Sequence, residues 1–271
     1  MYITRVSNSK LESFKECPWK YYCKYHEYLP EERDDTALQF GSYIHRILER
    51  GVAEYTLSGL EVISEEEKAN YKFSKDYLPK IIKCLKNFLD FNTKIAKSKT
   101  VGVELREEFE ISKDIVYNGI IDRVIQAEDG SIMVIDYKTS KSEKTRIELG
   151  MDNQLLGYAV MCSKKYDIPL NKITCAHFYP ITGNFVSVTY PTAKTAYFIN
   201  EIKEQVWKIR KKTKEQFLPI KNKFCNWCQF KRACPLFVDN FTVQKIIQEN
   251  HENQLSKKKQ KEEGLPGVQK G

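Results

Sequence analysis

Two strand-like segments on either side of Glu128-Asp129-Gly130 carry acidic residues where metal chemistry could take place. A three-residue hairpin loop commonly ends with glycine in the left-handed conformation, and Gly130 fits that position. Counting outward from such a loop places Asp122 directly opposite Asp136, on the same face of the sheet. Lys138 lies two residues farther along the second strand and therefore joins them. A two-residue loop would move Asp122 to the other face, so the prediction depends on the loop.

Two carboxylates and one ammonium group at a single point could carry out metal-assisted phosphodiester hydrolysis. Carboxylate oxygens are the ligands that Mg²⁺ and Mn²⁺ prefer. A nearby lysine can stabilise the charge that develops on a phosphate in the transition state. The alternative is an ordinary salt bridge between Asp136 and Lys138 on a solvent-exposed sheet face, and geometry alone leaves it open.

A second group of chemically active residues is the C-x2-C-x5-C sequence formed by Cys225, Cys228 and Cys234. Clustered cysteines in a cytosolic protein indicate metal ligands rather than disulfides. Three thiolates require a fourth ligand, and a zinc site usually takes two close cysteine pairs. No second close pair is present, so spacing does not identify the metal.

Length, hydrophobic content and net charge limit the classes of protein to which the chain can belong. The chain has 271 residues, of which 41% are hydrophobic, enough for one large domain with a buried core. Its formal net charge of +8 suits a polyanionic partner such as nucleic acid, although surface lysines also serve solubility. Neither an apolar leader nor a run long enough to span a membrane is visible, so we expect a cytoplasmic protein with no membrane partner.

The elements that must position these residues form an α/β pattern. The N-terminal part is predicted to contain three helices, at about 9–25, 41–55 and 64–95, and Pro79 is a candidate break in the third. The remainder is predicted to alternate strands with helices, in the order strands 101–111, 117–126 and 131–139, helix 151–165, strands 172–179 and 184–190, helix 192–216.

We therefore expect a single domain over residues 1–243. It divides into a helical part at about 1–100, a catalytic core at about 101–216 and a cysteine-bearing segment at 217–243. Residues 244–271 are polar and lysine-rich and are predicted to be a frayed helix and a disordered tail.

Five motifs occur in the order found in RecB-like nucleases of the PD-(D/E)XK superfamily. Asp122, followed after 13 residues by Asp136-Tyr137-Lys138, resembles the signature that gives the superfamily its name. The other matching segments are the opening helix with Cys17, Gly41-Ser42-Tyr43-Ile44-His45, Gln154-Leu155-Leu156-Gly157-Tyr158 and the C-terminal cysteines. The resemblance covers roughly residues 7–237. It implies a mixed central sheet flanked by helices, with an N-terminal helical insertion.

The resemblance also implies roles for individual residues. His45, Asp122, Asp136 and the backbone carbonyl of Tyr137 would hold Mg²⁺ or Mn²⁺. Lys138 would be catalytic, and Gln154 and Tyr158, one helical turn apart, would lie near the site and contact DNA. The alternatives are a structural histidine at position 45 and a helix packing face at 154–158. Glu104, Glu107 and Glu108 are predicted to form a solvated face, although one of them could assist the metal.

The cysteines resemble those of the iron–sulfur subset of this family, which includes CRISPR-associated RecB-like exonucleases. By that resemblance Cys17, Cys225, Cys228 and Cys234 would bind a [4Fe–4S] cluster that joins the two ends of the chain. Zinc is the alternative metal, and Cys23 is the alternative fourth ligand. Aromatic and basic side chains at positions 227–232 could contact single-stranded DNA or pack around the cluster.

The resemblance predicts a metal-dependent DNA nuclease. We expect a single-strand exonuclease in recombination, repair or DNA processing, with a helicase or recombination protein as a possible partner. The chain lacks a GxxxxGK phosphate loop, so it carries no motor of its own. The alternatives are a non-catalytic DNA-binding scaffold held by a metal–thiolate site and a nuclease that acts on RNA.

Overall fold

A computed structural model describes residues 4–32 and 36–263, with side chains to residue 258. The chain divides into two compact units. The first comprises residues up to 8 and from 34 to 207, and the second comprises residues 9–33 and those from 208 onward. Whether the predicted single domain 1–243 behaves as one body stays a prediction.

The first unit is built on a six-stranded sheet. Its strands are β1 (Thr4–Val6), β2 (Lys99–Ser112), β3 (Ile115–Gln126), β4 (Ile132–Tyr137), β5 (Ile173–Tyr179) and β6 (Asn184–Thr189). The last five match the predicted strands, whereas the short β1 was not predicted. Three residues are too few for a period-two pattern to be recognised.

The sheet is mixed, as predicted. Its main path runs β1-β3-β4-β5-β6, and β2 pairs with the other edge of β3. β1–β3 and β4–β5 are parallel pairs, while β2–β3, β3–β4 and β5–β6 are antiparallel. On one edge of β3, β1 pairs with residues 115–117 and β4 pairs with residues 123–126, so β3 leaves β4 just before Arg123. Asp122 lies at this divergence.

Nine α-helices occur in the described part of the chain. They are α1 (Asn8–Glu16), α2 (Pro18–Tyr25), α3 (Thr36–Arg50), α4 (Leu57–Lys68), α5 (Leu78–Lys94), α6 (Arg146–Leu149), α7 (Asn153–Tyr166), α8 (Lys194–Arg210) and α9 (Asn240–Glu263).

The predicted N-terminal helices differ from the observed ones mainly at prolines. The run predicted at 9–25 is interrupted at Cys17, whose extended backbone precedes Pro18 at the first position of α2. The helix predicted at 64–95 is two helices, as a break at Pro79 allowed, since α5 starts beside that proline. Helix α4 begins at the Thr56 cap, which is earlier than predicted. Helix α3 begins five residues before the predicted position 41.

The two faces of the sheet contact different helices. On one face, a buried hydrophobic cluster joins α3, α4 and α5 to Ile125, Ile135, Tyr137 and Phe178 of the sheet. Because side chains alternate along a strand, Asp136 points to the opposite face. Helix α7 packs on β3, β4 and β5 there, and Gln154 of α7 reaches Asp136.

The helix predicted from about residue 244 is part of α9, which extends from Asn240 to Glu263. The final part of the predicted disordered tail, residues 264–271, lies outside the described residues. None of the described helices is both long and apolar enough to cross a membrane. A cytoplasmic location stays a prediction.

Candidate functional site

The hairpin between β3 and β4 has the predicted loop. The Ala127 amide donates to the carbonyl of Ser131 over 2.9 Å, and Gly130 has a φ of 79°. Arg123 pairs with Ile135, which puts Asp122 across from Asp136 at the next position. The predicted register is therefore confirmed, and it depends on the conformational freedom of glycine at the last loop position.

Asp136 is the buried centre of a polar network. Its carboxylate is only 3% exposed, and Oδ2 lies 2.6 Å from the ammonium nitrogen of Lys138. Gln154 closes a ring, because its Nε2 donates to Asp136 Oδ1 over 3.2 Å and its Oε1 accepts from Lys138 over 3.3 Å. Burial raises the pKa of Asp136 to about 6, against the opposing effect of Lys138. A buried carboxylate with this cost is typical of a functional site.

Helix α7 positions Gln154 and Tyr158. Asp152 caps the helix, since its Oδ1 accepts hydrogen bonds from the backbone amides of Gln154 and Leu155 at 2.9 and 3.0 Å. One turn later, the Tyr158 hydroxyl accepts from Gln154 Nε2 over 2.9 Å. The same side of this helix also packs closely on the sheet, where a methyl group added at Gly157 would lie 2.6 Å from the Tyr117 hydroxyl. Both predicted motif residues therefore lie at the site, and they hold Asp136 and Lys138 in place.

A second cluster adjoins this network at the point where β3 and β4 diverge. His45, Glu104 and Asp122 each offer a ligand atom within 4.8 Å of the others. His45 Nδ1 is 3.5 Å from Asp122 Oδ1, and the backbone amide of Tyr137 donates to Asp122 Oδ2 over 2.6 Å. Burial would lower the pKa of His45, but the hydrogen bond and charge of Asp122 outweigh it and the pKa is raised. Burial, followed by the charge of Asp122, raises the pKa of Glu104.

The structure thus brings His45 and Asp122 together as predicted but adds Glu104. The carboxylate of Asp136 is turned toward Lys138 and Gln154 and is not part of that three-residue group. The proposed ligation by the Tyr137 carbonyl and by Asp136 stays a prediction. An open cleft lies on the His45 side. Its walls are formed by α3, β2 and the segments that follow α4 and β4, through Ala37, Leu38, Gly41, Ser42, His45, Arg46, Glu49, Tyr71, Glu104 and Thr139.

The sequence favoured a solvated face for Glu104, with assistance to the metal as the alternative, and the observed side chain lies close to two candidate ligands. The neighbouring pairs Val103–Arg123 and Leu105–Ile121 place Glu104 across from Asp122. A register shift between Glu110 and Ser112 sets this alignment. Glu104 also has a φ of 45°, a left-handed conformation that is costly for a residue other than glycine. Neither feature can be recognised in the sequence, since bulges leave no simple pattern.

The four predicted cluster ligands all belong to the second unit. Cys17, Cys225, Cys228 and Cys234 line one cavity together with Trp19 and Asn222, among other residues. Cys23 is fully buried, and within the described part of the chain it is not a lining residue of that cavity. Cys84, Cys162 and Cys175 are also fully buried, as predicted for core residues.

Backbone amides point at two of these sulfurs. The amide of Ile220 donates to Cys17 Sγ over 3.4 Å, and the amide of Asn222 donates to Cys225 Sγ over 3.3 Å. The Asn222 side chain in turn donates to the carbonyl of Glu16, which ties the C-terminal segment to the end of α1. Burial raises the pKa of the Cys228 and Cys234 thiols. Ligation of a cation would offset that cost of ionisation.

Proteins similar to this chain include one subunit of a bacterial ATP-dependent helicase/deoxyribonuclease. The subunit from Streptococcus agalactiae serotype Ia is 29% identical over 187 residues, which make up 60% of this chain and 17% of that protein. The same subunit from Streptococcus uberis is 27% identical over 173 residues, or 56% of this chain and 16% of that protein. The chain therefore spans about a sixth of the length of these relatives.

The crystal structure of SSO0001 aligns with 86% of this chain, and the alignment covers 87% of the SSO0001 chain. The sequence identity is 15% and the TM-score is 0.41, which is too low a similarity to bear on the fold. The family match is far more extensive. The PD-(D/E)XK nuclease superfamily matches residues 5–235, which include the hairpin, helix α7 and all four cysteines that line the cavity. This chain belongs to the PD-(D/E)XK nuclease superfamily.

Proposed function

We propose that this protein is a Mg²⁺- or Mn²⁺-dependent DNA nuclease that removes nucleotides from single-stranded ends. The observation that carries the proposal is the buried carboxylate of Asp136, held by Lys138 and Gln154 beside the group of His45, Glu104 and Asp122. Burying a carboxylate such as Asp136 costs free energy, and ionisable groups that a protein keeps buried at such a cost are commonly functional. Within a nuclease superfamily, that function is phosphodiester hydrolysis.

The donor set fits a hard divalent cation. His45, Glu104 and Asp122 offer one nitrogen and two carboxylate groups within 4.8 Å, and carboxylate oxygen is the preferred ligand of Mg²⁺ and Mn²⁺. We assign the metal to these residues together with Asp136 and the carbonyl of Tyr137. A bound cation would polarise the scissile phosphate and stabilise its developing charge.

The remaining residues orient charge around the reacting phosphate. Lys138 is 30% exposed at its side chain, so its ammonium group can reach a substrate while it is paired with Asp136. The charge of Asp136 outweighs the effect of burial and raises the pKa of Lys138, so the amine stays protonated and can stabilise negative charge. Gln154 fixes both groups, and Tyr158 fixes Gln154.

DNA as the substrate is supported by the relatives, which are named as parts of a helicase/deoxyribonuclease. The net charge of +8 is consistent with a polyanionic substrate. Exposed aromatic rings in the second unit favour single strands, since Trp227 is 75% exposed and Lys223 lies over the ring of Phe224. By the same relatives we infer that a helicase is the partner that supplies single strands.

We further propose that Cys17, Cys225, Cys228 and Cys234 bind a [4Fe–4S] cluster. The four cysteines line one cavity of the second unit, so they could supply the four thiolates that such a cluster takes. Amide hydrogen bonds to Cys17 and Cys225 are also a feature of cluster sites. The cluster would join α2 to the C-terminal segment.

The nuclease proposal is tested with a linear single-stranded oligonucleotide labelled at either end, in Mn²⁺ and in Mg²⁺. Parent protein is compared with Asp136→Ala and with Asp129→Ala, a matched acidic substitution in the exposed hairpin loop. We expect the parent and Asp129→Ala to degrade the DNA and Asp136→Ala to leave it intact. A circular single strand should resist cleavage if the enzyme requires an end. An RNA of the same sequence shows whether the enzyme discriminates between ribose and deoxyribose.

Equal inactivity of all three proteins with both metals and both labels, in preparations that retain the cluster absorbance near about 400 nm, would refute the nuclease proposal. It would favour a DNA-binding scaffold, which the retained affinity for the oligonucleotide would show. Cleavage of the circle would refute the exonuclease mode alone.

A further inference from the structure

His177 is a fully buried titratable residue for which the proposed chemistry has no role. It lies on β5, directly beside Asp136 on β4 in the parallel ladder, and its side chain is on the same face of the sheet. Its Nε2 atom is 3.5 Å from Asp136 Oδ2 and 4.0 Å from Asp152 Oδ2. One imidazole edge therefore faces two carboxylates that serve different parts of the site.

Tyr179 determines which nitrogen of His177 carries the proton. The Tyr179 hydroxyl accepts the backbone amide hydrogen of Lys144 over 2.8 Å, and it lies 3.2 Å from His177 Nδ1. The hydroxyl is buried, so its own hydrogen needs an acceptor, and within the described residues Nδ1 is the contact that can provide one. With Nδ1 as acceptor, the neutral ring carries its hydrogen on Nε2, which is the edge that faces the carboxylates.

Asp152 connects this histidine to helix α7. Its Oδ1 caps the helix at Gln154, while its Oδ2 pairs with Lys144 over 2.5 Å and faces His177. Gln154 in turn donates to Asp136. A closed path thus runs from Asp136 through His177 and Asp152 to the helix end and back through Gln154.

We propose that His177 is a positioning residue that presents a fixed Nε2–H to Asp136 and Asp152 and so holds the metal-binding carboxylate in register with helix α7. The inference rests on the proposed metal site at Asp136. The partners of a metal ligand fix its orientation, and their loss typically costs 10- to 100-fold in metal affinity or activity. His177 makes no contact with substrate in this role, so its effect passes through Asp136.

The test compares three substitutions at one position. In His177→Gln the side-chain amide nitrogen can occupy the place of Nε2. In His177→Asn the amide nitrogen reaches only the place of Nδ1. His177→Leu has no nitrogen at either place. Mn²⁺ binding to each metal-free, cluster-containing protein is measured from the electron paramagnetic resonance signal of free Mn²⁺, without DNA. We expect affinity to fall about 10-fold or more in the Leu and Asn variants and to be largely restored in the Gln variant.

Cys162→Ala is the control for stability alone, because it removes buried volume from α7 away from the polar network. It should lower the melting temperature and leave Mn²⁺ affinity unchanged. If His177→Leu does not fold, the comparison of Gln with Asn decides the question by itself.

Asp136→Asn separates the two ways in which the inference can fail. If this variant binds Mn²⁺ as tightly as the parent, the metal site is not at Asp136. Both the assignment of the metal to Asp136 and the positioning role of His177 are then refuted. Loss of Mn²⁺ binding in Asp136→Asn would leave the metal assignment standing. The positioning role of His177 alone is then refuted if His177→Leu binds Mn²⁺ like the parent, or if His177→Gln and His177→Asn weaken Mn²⁺ binding equally.

Discussion

Glu104 and Asp122 lie across from each other on β2 and β3, and their carboxylate oxygens come within 4.8 Å of one another and of His45. Two carboxylates at this distance repel each other, and the charge of Asp122 accordingly helps to raise the pKa of Glu104. The backbone of Glu104 is also left-handed, at a φ of 45°. Glu104 therefore bears both an electrostatic and a backbone cost, and a bound cation would relieve the electrostatic repulsion.

Replacing Glu104 should therefore separate stability from metal binding. Glu104→Gly relieves the backbone conformation and the repulsion, and we expect it to raise the free energy of unfolding of the metal-free protein by about 1 kcal/mol. Glu104→Gln keeps the backbone cost and should stabilise less. Both variants should bind Mn²⁺ more weakly than the parent. Urea unfolding with and without Mn²⁺ measures both effects, and a Gly variant with parental Mn²⁺ affinity would remove Glu104 from the ligand set.

Asp136→Asn should stabilise the metal-free protein at neutral pH. The folded-state pKa of about 6 exceeds the ordinary value of 3.8, so ionising Asp136 opposes folding. The parent therefore loses stability as pH rises from about 4 to about 6, and asparagine, which resembles the neutral carboxyl, does not. The difference should reach at most about 3 kcal/mol above pH 6 and vanish below about pH 4. Thermal unfolding in a chelator across this range is the measurement, and a pH-independent difference would contradict the burial effect.

Gln154→Leu should reduce turnover more than Tyr158→Phe. Gln154 bonds to both charged groups, whereas the Tyr158 hydroxyl accepts a hydrogen bond from the neutral amide of Gln154. Hydrogen bonds to charged groups contribute about 1.5–3 kcal/mol and neutral ones about 1 kcal/mol, so we expect losses in kcat/KM of up to roughly 100-fold for Gln154→Leu and roughly 5-fold for Tyr158→Phe. Steady-state cleavage of labelled single-stranded DNA gives both values. Equal losses would mean that Tyr158 contacts the substrate itself.

Cys17→Ser should abolish the cluster, and Cys23→Ser should not. Cys17 lines the cavity with the three C-terminal cysteines, while Cys23 is fully buried beside it in the same unit. Iron content of about four atoms per chain and absorbance near about 400 nm are the readouts. The Cys23 variant is the matched control, since it is one helix turn and a half farther along α2. If the parent protein contains zinc instead of iron, the [4Fe–4S] proposal is refuted and the four cysteines bind the alternative metal.

Features that depend on neighbours along the chain could be predicted from the sequence. The three-residue loop ending in Gly130 fixes the β3–β4 register, and with it the position of Asp122 opposite Asp136. The spacing of four residues puts Gln154 and Tyr158 on one side of α7. The predicted fold class, with a mixed sheet flanked by helices, is confirmed for the same reason, because the hydrophobic periods of its strands and helices are local.

Features that depend on pairing between distant segments could not be predicted from the sequence and became visible in the folded chain. A tight turn at residues 113–114 would align Glu104 with Arg123, and the register shift before Ser112 moves it opposite Asp122 instead. His177 reaches Asp136 because β5 pairs in parallel with β4 after the α7 crossover, and the alignment of a parallel pair is not set by a turn. A shift of one residue would turn either side chain to the other face of the sheet, and packing of the whole sheet against its helices selects the observed register.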